Sequence, residues 1–214
     1  DTLLEIGCGW GGLFTYIVKK IGCKVIAVTN SDQQFLYNQK QIAQLNLSDH
    51  VQLLKQDYRD IKGRYSKIVS IEMIEAVGEK YWPIYFRQIA KSLKKGGLAL
   101  IQAITIREDL FATYRTGVDF IQKYIFPGGM LLTEKTFYQQ EQSNGLSVID
   151  HHPFTLSYAQ TLCQWRKNFH QQASKIRALG FDERFMRLWD FYLAYCEGAF
   201  RAEHIQVGQF LLKG

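Results

Sequence analysis

Residues 3–14, LLEIGCGWGGLF, run from an apolar strand into an amphipathic helix through four glycines. A turn of this kind, between a first parallel strand and its helix, lets backbone come close to a ligand at the carboxyl edge of a sheet. Its pattern is Glu5-x-Gly7-x-Gly9-x-Gly11-Gly12. The spacing differs from the G-x-G-x-x-G dinucleotide fingerprint, and the second strand closes on Thr29 rather than on an acid. The same glycines would also serve a tight bend with no ligand.

Outward from this stretch the chain alternates. Apolar runs predict strands over 2–6, 24–28, 51–54, 67–71 and 98–104, and helical periodicity predicts helices over 11–20, 31–45 and 80–93. Ser31 is placed to cap the second of these helices. Such an order implies an α/β fold with a parallel sheet covered on both faces. It breaks after Ile106: helices are expected around 117–123 and 133–142, a strand at 146–150, helices at 158–173 and 182–201, and a last strand at 205–212.

With 214 residues and 47% hydrophobic content, a single domain spanning 1–214 is expected. Four cysteines without CxxC pairing point to reduced thiols and a cytoplasmic setting. No apolar run reaches membrane-spanning length, which predicts a soluble chain. The net charge of +6 favours an anionic partner, yet no basic cluster interleaved with aromatics argues for nucleic acid. Five histidines lack metal-ligand spacing, and His151 and His152 point to opposite faces of a strand, so no metal is expected. Because the chain begins on Asp1 rather than methionine, at the first strand itself, a preceding segment is expected to be missing.

LLEIGCGWGG resembles the first motif of S-adenosylmethionine-dependent methyltransferases, and its tryptophan is typical of the cyclopropane-fatty-acyl-phospholipid synthase and mycolic-acid cyclopropane synthase family. The resemblance continues through VTNSDQQ, QDYRD, IVSIEMIEAVGEKYWPIYF, KYIFPGG, HHPFTLSYAQTLCQW and FYLAYCEGAFRAEHIQVGQ, over essentially the whole chain. It implies a Rossmann-like class I methyltransferase: a seven-stranded, mostly parallel sheet in the order 3-2-1-4-5-7-6, its last strand antiparallel. Helical insertions at about 107–142 and 157–203 would form the acceptor site.

For the cofactor, S-adenosylmethionine, the resemblance implies the glycine turn (Glu5, Gly7, Gly9) at the methionine end. Thr29 and Gln34, with Ser31 between them, would serve the ribose, and Asp57 and Tyr58 would lie by the adenine. Its acceptor is the cis double bond of an unsaturated phospholipid acyl chain, whose π bond takes the methyl group before a base removes a proton. A permanent carboxylate beside that cation would risk alkylation. The family instead holds a bicarbonate, with Glu75, Tyr158 and the carbonyl of Ile104 as matching ligands. The family's histidine falls on Gln102, which hydrogen-bonds but does not titrate, and its cysteine falls upstream of residue 1. Ring closure is thereby less secured than methyl transfer.

The aromatic stripes Phe185, Leu188, Trp189, Tyr192, Cys196 and Phe200, with Trp165 and Phe169, read as core or as the wall of an acyl tunnel. Tyr124 and Phe126 would then stand near its mouth. A basic chain acting on bilayer lipids implies peripheral association with the inner membrane surface, through Lys and Arg in 107–123 and 166–187. A homodimer is compatible with these features. Two other functions stay open: methylation of a small-molecule amine on the same fold, and a non-catalytic lipid-binding relic.

Overall fold

The computed structural model describes residues 2–214; Asp1, whose identity prompted the expectation of a preceding segment, lies outside them. In chain order the elements are β1 (Thr2–Ile6), α1 (Gly12–Ile21), β2 (Lys24–Thr29), α2 (Asp32–Gln44), β3 (Val51–Lys55), β4 (Tyr65–Ile71), α3 (Trp82–Ser92) and β5 (Leu93–Ile106). Then follow α4 (Glu108–Thr116), α5 (Phe120–Tyr124), α6 (Glu134–Ser143), β6 (Ser147–Pro153), α7 (Thr155–Gln171), α8 (Ala173–Ala178), α9 (Glu183–Arg201) and β7 (Ile205–Lys213). The strands form one sheet in the order β3-β2-β1-β4-β5-β7-β6. The first five are parallel neighbours, and β7 runs antiparallel to both β5 and β6. This is the order that the resemblance implies.

Alternation along the strands decides what each face buries. Val25 and Ala27 of β2 pack with Phe14, Val18 and Ile42 of α1 and α2. Ala99, Ile101 and Ala103 of β5 pack with Tyr85, Phe86 and Ile89 of α3 and with Phe137 of α6. On the opposite face of β5, Ile104 joins Val207 against Ala159, Leu162, Leu193 and Phe200 of α7 and α9. Gln102 is in step with Ile104, so its side chain stands on the face that α7 and α9 cover.

Several boundaries differ from the sequence expectation. The segment after β5 begins with α4, inside the helical insertion expected over about 107–142, and the helix expected at 117–123 starts only at Phe120. The reason is local: Asp119 and Gln122 form a capping box that starts a new helix there. β5 extends from Leu93 instead of residue 98, because Leu93 pairs with Tyr65 ahead of a register shift. α8 replaces part of the connection between the two long helices.

The glycine turn is closed from below. The amides of Gly7 and Cys8 both donate to the carbonyl of Val28, at 3.0 and 2.9 Å, and Asn38 of α2 donates to the carbonyl of Gly9 at 2.8 Å. Gly11 has φ +81, and a methyl group there would meet Asn38 Oδ1 and Phe14 Cζ, each at 2.5 Å. Replacement by alanine combines left-handed strain with overpacking, so Gly11→Ala is expected to cost about 3 kcal/mol. Gly12→Ala, facing open space, should stay within about 1 kcal/mol of the parent. Urea denaturation of the two variants makes the comparison, and equal losses would refute this account of the turn.

Candidate active site

A cleft of about 450 Å³ opens at the carboxyl ends of β1, β2 and β4, where the glycine turn leaves the sheet. Of the residues expected around a cofactor, Gly7, Gly9, Thr29, Gln34, Asp57 and Tyr58 line it. Glu5 and Ser31 do not. Ser31 is occupied as the cap of α2, its Oγ accepting from the Gln34 amide at 3.3 Å. Glu5 is buried in β1, and after burial its charge is the next influence pushing the Cys8 thiol up to about 12.

The polar end of the cleft is prearranged. Thr29 Oγ1 donates to Gln34 Oε1 at 2.7 Å and accepts from the Ser31 amide at 3.2 Å. Asp57 is clasped by Arg59, whose Nε and Nη2 each donate at 2.8 Å, and this bond keeps its carboxyl below the ordinary range. Arg59 in turn lies 5.3 Å from the centre of the Tyr81 ring. Asp57 therefore holds the wall together instead of offering free oxygens. The lining also brings in residues that the sequence reading missed: Asn30, Gln56, Arg59, Met73, Val77 and Tyr81. Most come from loops that carry no periodic signal, whereas Tyr81 falls at the start of the helix expected over 80–93.

The missed residue that matters most is Glu72. It directly follows β4, lines the cleft, and has φ +49, a left-handed conformation costing a side-chain-bearing residue roughly 1–2 kcal/mol. Three bonds hold it there: its amide donates to the Gln102 carbonyl at 2.9 Å, Gln102 Nε2 donates to Oε1 at 2.7 Å, and the Tyr158 hydroxyl donates to Oε2 at 2.8 Å. Gln102 Oε1 meanwhile accepts from Gln209 Nε2 of β7 at 3.0 Å. Burial first, and then the charge of Glu72, push the Tyr158 phenol well above its usual range, so it stays a donor. Two acids three residues apart after β4, in IEMIEAVG, were the available sequence signal.

Glu75 plays a different part. Its Oε1 accepts from the Ile104 amide at 2.6 Å, and its main-chain carbonyl accepts from Met130 at 2.8 Å, tying the KYIFPGG segment to β5. Its Oε2 is buried without a partner, and burial pushes the carboxyl up to about 8. The expected set of Glu75, Gln102, Ile104 and Tyr158 thus gathers at one place, with two changes. Ile104 contributes an N–H to Glu75, and Gln102 and Tyr158 both point at Glu72.

Beyond this cluster lies an aromatic wall. Trp189 is 5.1 Å from Tyr192 and 5.6 Å from Phe185, and Phe126 is 6.1 Å from Tyr192. Asp190 pins α9 to α7 by accepting from Arg166 at 2.7 Å, with His170 2.6 Å away. Tyr124 and Phe126 are exposed at its edge.

Residues 1–210 match the family described as mycolic acid cyclopropane synthetase. The chain belongs to that family. Among cyclopropane synthetase relatives, a tuberculostearic acid methyltransferase of Mycobacterium tuberculosis is 39% identical over 211 residues, 98% of this chain and 49% of that protein. The cyclopropane-fatty-acyl-phospholipid synthase of Escherichia coli is 37% identical over 209 residues, 97% of this chain and 52% of that protein. The chain therefore spans about half the length of the curated relatives it matches. A mycolic acid cyclopropane synthase crystallised with SAH and CTAB superposes with a TM-score of 0.89 at 27% identity, covering 100% of this chain and 78% of that one. Strand order and the antiparallel β7 agree with the class I methyltransferase fold of these cyclopropane synthetases.

The buried acids give stability a pH signature. Burial pushes Glu5, like Glu75, up to about 8 from an ordinary value of 4.5. Between those values the folded chain keeps a proton that the unfolded chain has released, so stability is fully present below about pH 4.5 and falls as pH rises towards 8. Glu5→Gln removes one such group. Relative to the parent, the variant should gain on the order of 2–4 kcal/mol between pH 5 and pH 8. Urea denaturation at both pH values tests this, and an unchanged slope would count against a buried, protonated Glu5.

Proposed function

We propose that the protein transfers a methyl group from S-adenosylmethionine to the cis double bond of an unsaturated phospholipid acyl chain, forming a cyclopropane or a methyl-branched chain. The observation that carries this reading is that Glu72 belongs at once to the cleft and to the Gln102–Tyr158 cluster. The cofactor side and the aromatic insertion thereby share one wall.

The cleft suits this cofactor in size and in chemistry. Bound there, S-adenosylmethionine supplies an electrophilic methyl group on a sulfonium sulfur. The Thr29–Gln34 pair offers neutral hydrogen bonds to ribose hydroxyls, in place of an acid. The Tyr58 hydroxyl is buried without a partner in the cleft lining, and with Tyr81 it forms an aromatic side for a base. At Gly7 a side chain would press on Met73 Cγ at 3.0 Å, so glycine keeps the methionine end open.

On the acceptor side, Phe185, Trp189, Tyr192 and Phe126 offer an apolar enclosure for an acyl chain, with ring faces that favour a nearby cation. Glu75, neutral below about pH 8, adds no second charge there and holds Ile104 and Met130 in place. No helix is long and apolar enough to cross a membrane among the described residues. The net charge of +6 and the exposed Tyr124 and Phe126 support docking on an anionic membrane surface.

Mass spectrometry of lipids from cells expressing the protein and fed methyl-labelled methionine tests the reading. Unsaturated acyl chains are expected to gain one labelled CH2, and fragmentation separates ring from branch. Glu75→Gln places amide protons where Oε2 is sealed, which should reduce the gain about ten- to hundredfold. Unlabelled lipids, together with cofactor binding measured by calorimetry, would sink the lipid reading in favour of an amine acceptor. Absence of cofactor binding would instead favour the non-catalytic relic.

A further inference from the structure

We infer that the carboxylate of Glu72 is the proton acceptor of this reaction, standing where the resemblance expects a bound bicarbonate. The inference rests on the lipid-methylating reading above and deepens it. Gln102 and Tyr158, two of the side chains expected to hold the anion, donate to the two oxygens of Glu72 at 2.7 and 2.8 Å. Carboxylate and bicarbonate present the same planar O–C–O edge to such donors. One amide N–H of Gln102 and the phenolic proton of Tyr158 are thereby engaged by Glu72 instead of by a second anion.

Position agrees with the role. Glu72 lines the proposed cofactor cleft with Gly7 and Met73, while its other contacts lie on β5 and α7. Its φ of +49 is a conformation that glycine adopts freely and glutamate rarely. A strained residue held by three hydrogen bonds is the pattern of a functional site. Glu75, its neighbour in sequence, is pushed towards the neutral form by burial and lacks the same approach to the cleft.

After the alkene has taken the methyl group, a C–H bond of that methyl breaks and its electron pair closes onto the neighbouring carbocation. The proton passes to Glu72 and from there to water. The sum is alkene plus methyl donor giving cyclopropane, demethylated cofactor and one proton.

The test is product formation by the purified protein on vesicles of unsaturated phospholipid, in CO2-free buffer with and without added bicarbonate. Carbon-13 NMR of labelled bicarbonate, read in parallel, reports anion binding independently of turnover. The native protein is expected to give the same yield in both buffers within twofold and to bind no labelled anion. Glu72→Gly tolerates the backbone conformation and clears the carboxylate. It should lose at least about 100-fold without bicarbonate, recover when bicarbonate is added, and bind the labelled anion. Glu72→Gln should lose as much and not recover. A native yield that drops tenfold when bicarbonate is removed overturns the inference even if neither variant folds, as does undiminished activity of Glu72→Gly in CO2-free buffer. No product from the native protein in either buffer overturns the lipid reading itself, and is told apart by that pattern.

Discussion

The amide of Gln102 donates to Glu72 and accepts from Gln209, and through those two bonds it joins β7, β5 and the end of β4 at one point. Tyr158 adds α7 to the same point by bonding the other oxygen of Glu72. An amide has one donor end and one acceptor end, so its orientation is dictated by neighbours that need opposite things: a carboxylate on one side, an amide N–H on the other. The left-handed backbone at Glu72 is maintained by this arrangement. The wall between the cleft and the helical insertion hangs on it in turn.

Two glutamates three residues apart have different surroundings. Glu75 has one oxygen on a backbone amide and the other sealed away, and desolvation favours its protonated form. Glu72 has a donor on each oxygen. Glu75 contributes a scaffold for Ile104 and Met130, and Glu72 joins the cleft to the helical insertion.

Much of this was legible in the sequence where physics is local. The glycine turn, the strand alternation and the Ser31 cap each declare themselves through backbone geometry or periodicity, and the sheet order followed from the resemblance. The helix at Glu108–Thr116 was expected only as part of the 107–142 insertion and not by its own bounds, and none of its residues is buried. Arg59 and Gln56 come from short turns, where the sequence carries no period. Glu72 was overlooked for another reason. Its meaning depends on Gln102, 30 residues away, and on Tyr158, 86 away. Gln102 looked like the loss of a titrating group, and it reads as a gain only once the carboxylate it serves is seen beside it.

The place of β7 governs when the site comes into being. It follows β6 in the chain but lies between β5 and β6 in the sheet, and it brings Gln209 to Gln102 across 107 residues. As the chain is synthesised, β6 has no strand to pair with and β5 keeps a bare edge until β7 has emerged and inserted. Those edges are where an incomplete chain would pair with its neighbours. A nascent polypeptide could already have its glycine turn closed, yet Gln102 would lack the partner that fixes its acceptor end. Maturation of this site is therefore tied to the emergence of β7, and the exposed edges of β5 and β6 are the surfaces a chaperone would have to guard until then.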